Sequence, residues 1–265
     1  MLKIIDAHAH IGPWHKFYLP CRDIDATISV MNEVGIQYTI ISHHLGLVGM
    51  LEQASEQSEE AWVRSGGRIL SYLVYDPQQI EESLQIIESS LKKPFFAGIK
   101  IHPTQHNCPA DDERYRPAWE LAYRENLVIL AHTWDKSASH PEQNNSYPDL
   151  FEKYIEAYPT VRFILGHAGG RYNASLACAR LARKYKNVWV DITGDSFAFG
   201  RVEYLVNEVS SLRVLFGSDM PWFDPRLALG EVLGADISDE DCANILGLNA
   251  MRLFNLPRAG EGNKE

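Results

Sequence analysis

The sequence predicts an α/β chain that closes as a (β/α)8 barrel. Short β-branched or apolar runs recur roughly every 30 residues, each bounded by turn residues. Amphipathic helical patterns lie between them. The length of 265 residues suits one such barrel. Strands that alternate with helices pair in parallel through right-handed crossovers. Eight such units favour a closed barrel over an open doubly wound sheet.

The first strand is Lys3–His10. A helix over Asp23–Val34 follows, with Ile24, Ile28, Met31 and Val34 near one face and Gly35 as its stop. The second and third strands are Tyr38–His43 and Arg68–Tyr75. Asp76 and Pro77 read as the N-cap and first position of the next helix, whose stripe is Ile80, Leu84, Ile87 and Leu91. The fourth strand, Phe96–His102, leads to a helix over Tyr115–Glu125. The fifth, Leu127–His132, leads to Tyr147–Ala157, and the sixth, Val161–His167, to Tyr172–Tyr185. The seventh, Val188–Thr193, is followed by Val202–Val209. The eighth is Val214–Ser218, and a last helix, Asp239–Phe254, packs outside. With no linker and no shift in composition, residues 1–265 are expected to form one domain.

Lys and Arg total 25 against 35 Asp and Glu, a formal charge of −10. Nucleic acid is therefore an unfavourable partner, since phosphate backbones need clustered cations. Cys21, Cys108, Cys178 and Cys242 form no CxxC pair, which argues against a zinc ribbon or a disulfide scaffold. They read as reduced thiols of a cytoplasmic protein. No apolar run is long enough to span a membrane, and the N-terminus has no signal-peptide pattern. The expected partner is a small-molecule substrate. The oligomeric state, including a homo-oligomer, stays open.

Of ten histidines, His8, His10, His43, His102, His132 and His167 fall at or near the C-terminal ends of strands. In a barrel those ends surround the active-site face. His15, His106 and His140 read as solvated loop residues. His8 and His10, two apart on a strand, point the same way and can share one metal ion. Two hydrogen-bonded core histidines would look the same. His132, His167 and Asp219, at the ends of the fifth, sixth and eighth strands, tip the balance. Imidazoles with one carboxylate suit zinc or a similar divalent ion at a catalytic centre.

The order of HxH, strand-five His, strand-six His and strand-eight Asp resembles that of the amidohydrolase superfamily. The words IIDAHAHIG, GIKIHP, LGHAGG, LFGSDMPW and ILGLNAMRLF look like its amidohydrolase-related branch. That branch also contains aminocarboxymuconate-semialdehyde decarboxylase. The resemblance runs from Ile4 to about Leu256. It implies a TIM barrel of the metal-dependent hydrolase type. It also implies one divalent metal, expected as zinc, held by His8, His10, His132 and Asp219. His167 then matches a proton-transfer residue, and Asp219 is both ligand and base. Lys100, on a face with His102, is either a carboxylated bridge to a second metal, a plain ammonium that meets a substrate carboxylate or Asp219, or a packing residue. His102 is a substrate contact or a core hydrogen-bonder.

Other candidates are Arg171, as a carboxylate clamp or a surface salt bridge at a helix start, and Trp14, Trp134, Trp222 and Phe223, as pocket walls or loop packing. Asp191 would either orient a ligand histidine or cap the end of its strand. The favoured activity is a metal-dependent hydrolase of a C–N or C–O bond, an amide or lactone, through a metal-activated water. The runner-up is a non-oxidative decarboxylase using the same residues. A TatD-like nuclease is opposed by the acidic charge and by Lys100 on the fourth strand. A non-enzymatic metal-binding protein is the remaining alternative.

Overall fold

The computed structural model describes residues 3–16 and 18–257. Eight parallel strands stand in the order β1 to β8. They are β1 (Ile4–Ile11), β2 (Ile36–His43), β3 (Ile69–Val74), β4 (Phe96–Ile101), β5 (Val128–Ala131), β6 (Arg162–Leu165), β7 (Val188–Asp191) and β8 (Val214–Leu215). The ring closes where Ala7 N–H donates to the Phe216 carbonyl, Asp219 N–H to His8 and His10 N–H to Met220. Helices cover the outside, as a (β/α)8 barrel requires.

Strand alternation decides what faces the centre. Ile99, Ile101, Ile129 and Ala131 pack outward with helix residues such as Trp119 and Leu121. Val128 and Leu130 pack inward with Ile5, Ile40, Tyr72, Ile164 and Leu215, closed below by Leu253 and Leu256. Lys100, between two outward isoleucines, therefore points into the barrel. β1 breaks the simple pattern. Its register shifts between Asp6 and Ala9. Ile5 and Ala7 belong to the interior, whereas Ala9 and Ile11 pack on Ile24 and Met31 outside. Below the shift the odd positions face in. Above it they face out, and His8 and His10 turn to the centre.

The first helix, Ile24–Val34, matches its expected signals. Asp23 caps it by accepting from Ala26 N–H at 2.8 Å, an interaction worth about 1 kcal/mol. Gly35 ends it in the left-handed conformation, φ 83°.

Four expectations are corrected. Asp76 does not cap a helix. Its carboxylate accepts from Gln78 N–H and Gln79 Nε2 in a turn, and the helix starts later, over Ile80–Ser90. The segment expected over Tyr147–Ala157 divides into a 3-10 turn, Pro148–Phe151, and a short helix, Glu152–Ala157. The last helix is interrupted by a π turn over Asn244–Leu248, where the Ile245 carbonyl accepts from Phe216 N–H. β8 stops at Leu215, because Ser218 leaves the ladder to bond Asp6. Three helices were not expected: Leu51–Arg64, Pro225–Leu233 and the single turn His44–Leu47. The first buries little but Leu51, alanines and serines, so it shows almost no apolar stripe. No helix among the described residues is long and apolar enough to cross a membrane.

Candidate active site

The strand ends deliver one cluster. Donor atoms of His8, His167 and Asp219, all buried, lie within 4.8 Å of one another. His10 Nε2 stands 3.1 Å from Asp219 Oδ1. His132 adjoins through its Nδ1, 3.0 Å from His167 Nε2. So His8 and Asp219 share the tightest group with His167, while His10 and His132 flank it. Lys100 Nζ lies 2.8 Å from His8 Nε2.

Two turns place the C-terminal members. His167 and Ala168 take left-handed φ values of 61° and 42°, and Asp219 one of 61°. Such backbone costs about 1–3 kcal/mol per residue and persists only where neighbours hold it. Here Asp191 Oδ1 accepts from His167 N–H at 2.7 Å, and Asp219 N–H donates to the His8 carbonyl at 2.9 Å.

The partners assign the tautomers. His8 Nδ1 donates to Asp191 Oδ2 at 2.9 Å, which leaves the Nε2 lone pair facing the centre. His10 Nδ1 donates to the Ser42 carbonyl at 3.0 Å, so its Nε2 lone pair meets Asp219. Thr193 Oγ1 donates to Asp191 and accepts from His167 Nδ1 at 2.8 Å.

Burial pushes His8 down to about 4, with Lys100 adding to the effect. Burial also lowers His167 to about 3 and holds His102 and His132 well below the usual range. These rings are neutral. Burial alone would raise the Asp219 and Asp191 carboxyls. The neighbouring His10, His167 and His8 rings outweigh it at Asp219, and His8, His167 and Thr193 do so at Asp191. Both stay carboxylates. Burial lowers Lys100 to about 8 against the pull of Asp219 and Asp191.

These groups fit a divalent metal ion. The lone pair of His10 Nε2 and an oxygen of Asp219 face each other at 3.1 Å, two acceptors that need positive charge between them. Neutral imidazoles with one carboxylate are the donor set of zinc, iron or manganese sites.

A cavity of about 190 Å³ opens over the cluster. Lys100, His102, His132, His167 and Asp219 form its floor, and Trp134, Trp222 and Phe223 its walls. His8, fully buried, is not part of the lining. His102 stacks on His132 at 4.1 Å.

Two pocket candidates lie elsewhere. Trp14 stands behind the wall, 5.0 Å from the Trp222 ring. Arg171 does not line the cavity. Asp195 holds it at 2.8 and 3.0 Å, and its guanidinium lies 4.9 Å over Trp134. Sequence reasoning missed Ser42, Thr193 and Gln143. Gln143 Oε1 is 3.2 Å from His132 Nε2. It also missed His44, which stacks on His10 at 5.0 Å and accepts from Trp222 Nε1 at 2.7 Å. Thr193, two residues beyond Asp191, was within reach of strand periodicity; Gln143 sits in a 3-10 turn, Pro141–Ser146, that no sequence pattern marks.

A barrel whose strand ends gather histidines, a carboxylate and a buried lysine around one polar floor defines a metal-dependent barrel enzyme. The chain belongs to the amidohydrolase family: that family's profile matches residues 5–256. No curated protein matches the chain in sequence.

Solved structures match it across its length. A dihydroxybenzoic acid decarboxylase from Polaromonas sp. JS666, with bound manganese, is 20% identical, with TM-score 0.76 over 98% of each chain. A 2,6-dihydroxybenzoate decarboxylase from Rhizobium is 16% identical, with TM-score 0.76 over 96% of this chain and 99% of that one. A 5-carboxyvanillate decarboxylase from Sphingomonas paucimobilis is 14% identical, with TM-score 0.73 over 97% and 100%.

These neighbours overturn the expected hydrolase of amides or lactones. The same histidines and aspartate serve either reaction, so the motif never favoured hydrolysis on chemical grounds. They also reduce the expected zinc to a divalent ion, since the Polaromonas structure carries manganese.

Proposed function

We propose that this chain is a metal-dependent, non-oxidative decarboxylase of a small aromatic carboxylic acid. The observation that carries the reading is the cavity. Its volume of about 190 Å³ suits one substituted ring, and Trp134, Trp222 and Phe223 offer it flat apolar faces. The similar structures named above are decarboxylases of such acids.

His8, His10, His132 and Asp219 would hold the ion, which leaves His167 beside it for proton transfer. When bound, the ion supplies a Lewis acid that neutralises the substrate's oxygen anions. The chain's own residues do the rest. The aromatic walls fix the ring plane. Lys100 places positive charge on the cavity floor, beside which a carboxylate settles. As the carbon–carbon bond breaks, carbon dioxide leaves and the electron pair stays on the ring carbon. A proton drawn from solvent must then reach that carbon, and His167, whose Nε2 is bare in the neutral ring, is placed to take it up and pass it on. Thr193 and Asp191, behind Nδ1, stabilise the ring while it carries charge.

The test uses metal-loaded protein with a panel of hydroxylated benzoic acids in deuterium oxide. One carbon dioxide released per arene, and one deuterium at the vacated carbon, is the expected result. Consumption of an acid without carbon dioxide, or no consumption across the panel, would overturn the proposal.

A further inference from the structure

Arg201 is the first residue of the helix Arg201–Val209, yet its side chain is only 6% exposed. Its guanidinium reaches no substrate cavity residue by side chain. It reaches backbone. Nη1 donates to the carbonyls of Ile192 at 3.1 Å and Ser196 at 2.8 Å. Nη2 donates to His167 at 2.9 Å and lies 3.5 Å from the Thr193 carbonyl. These carbonyls belong to the turn after β6 and the loop after β7. The first carries His167 in its left-handed conformation. The second carries Thr193, which holds His167 Nδ1, and Gly194 and Asp195, which line the cavity.

A guanidinium suits this task because its planar fork presents five donors in fixed directions. Lysine could not hold two segments at once in one plane. Burying such a cation needs a counter-charge. Glu231, on the helix Pro225–Leu233 beyond β8, stands 3.5 Å from Nη1, with its side chain 12% exposed. Among the described residues neither of its carboxylate oxygens makes a hydrogen bond, so Arg201 is the charge it faces. The pair thus joins chain that follows β6, β7 and β8, three of the strands that build the site.

We propose that Arg201, anchored by Glu231, is a positioning residue that fixes the His167 imidazole and the Gly194–Asp195 rim. The link to turnover rests on the proton-transfer role given to His167 above; the clamp itself does not. A 1 Å displacement of a reacting group can cost about a hundredfold in rate. Loss of the clamp should therefore lower kcat by about 10–100-fold while KM moves by less than about threefold, since the aromatic walls stay in place.

The experiment uses full-length Arg201→Ala, Arg201→Lys and Glu231→Gln with metal bound. Amide hydrogen exchange is followed segment by segment, beside kcat, KM and metal content. In Arg201→Ala, exchange should quicken at least about tenfold in residues 166–170 and 192–196 and stay unchanged in β2 to β4. Millimolar guanidinium ion should restore both protection and kcat. Arg201→Lys, unable to bridge both segments, should rescue neither. Glu231→Gln should shift exchange in the same two segments by less, and it serves if Arg201→Ala does not fold. Unchanged exchange in these segments overturns the clamp. Faster exchange with unchanged kcat reduces Arg201 to a structural tie and overturns its positioning role. If the wild-type protein decarboxylates nothing, the reading of function fails, while exchange and guanidinium rescue still decide the clamp.

Discussion

Asp191 determines which nitrogen of His8 faces the cavity floor. Its Oδ2 takes the Nδ1 proton of His8 at 2.9 Å, and its Oδ1 accepts from His167 N–H and Thr193 Oγ1. One carboxylate thus sets the tautomer of a metal-facing ring and the backbone of a second histidine. An amide in its place could donate to His8 and reverse the tautomer. Asp191→Asn should weaken metal binding by about 10–100-fold. Competition with a chromophoric chelator measures this without any substrate. Unaltered affinity would mean that His8 keeps its tautomer without help. Sequence reading offered Asp191 for this work, or as a strand-end cap, from its place near the end of the seventh strand. It could not see that Thr193 shares the same carboxylate.

At the scale of the element, the segment after β8 is built around close approach. A Cβ on Gly217 would lie 2.3 Å from Thr193 Cγ2 and 3.0 Å from His8 Cβ. Both neighbours are held by hydrogen bonds, so neither can yield cheaply. Gly217→Ala should destabilise the fold by about 1–3 kcal/mol and push His8 from its place. Urea denaturation reads the first effect and metal content the second. A wild-type midpoint with full metal would show that the strands move apart without strain. The word LFGSDMPW marked this segment by resemblance, but only its path shows why the glycine sits there. The same holds for β1, whose register shift sends Ala9 and Ile11 outward and so turns His8 and His10 inward.

Across the whole molecule, buried histidines make the metal-free fold sensitive to acid. Burial lowers His8 and His43 to about 4 and His44 and His167 to about 3, against 6.5 when unfolded. Between those values the unfolded chain binds more protons than the folded one, so stability rises with pH. Each such proton contributes about 1.4 kcal/mol per pH unit over that window. The urea midpoint of chelator-treated protein should fall steadily from pH 7 to pH 5. Loaded protein should start higher, because bound metal stabilises the fold, and fall with a similar slope, because these folded rings are already unprotonated in that window. A flat profile for the metal-free form would show that these rings are protonated in the fold.

What the sequence determined by itself was the periodic part. Eight apolar runs, helical stripes between them, and His-x-His at a strand end are local patterns, because side-chain direction along a strand repeats every two residues. They were enough for the barrel and the set of polar residues at its mouth, while the family came from the resemblance of the words around those residues. Tertiary structure decided how those residues pair. His167 rather than His132 joins the tightest group with His8 and Asp219, because the left-handed turn after β6 swings it inward. Arg171 is held by Asp195, and Trp14 stands behind Trp222. Arg201, which looks like an ordinary helix-start cation, is buried among carbonyls from two distant segments. Such choices depend on where loops of different length bring their backbones, and no short window of sequence carries that information.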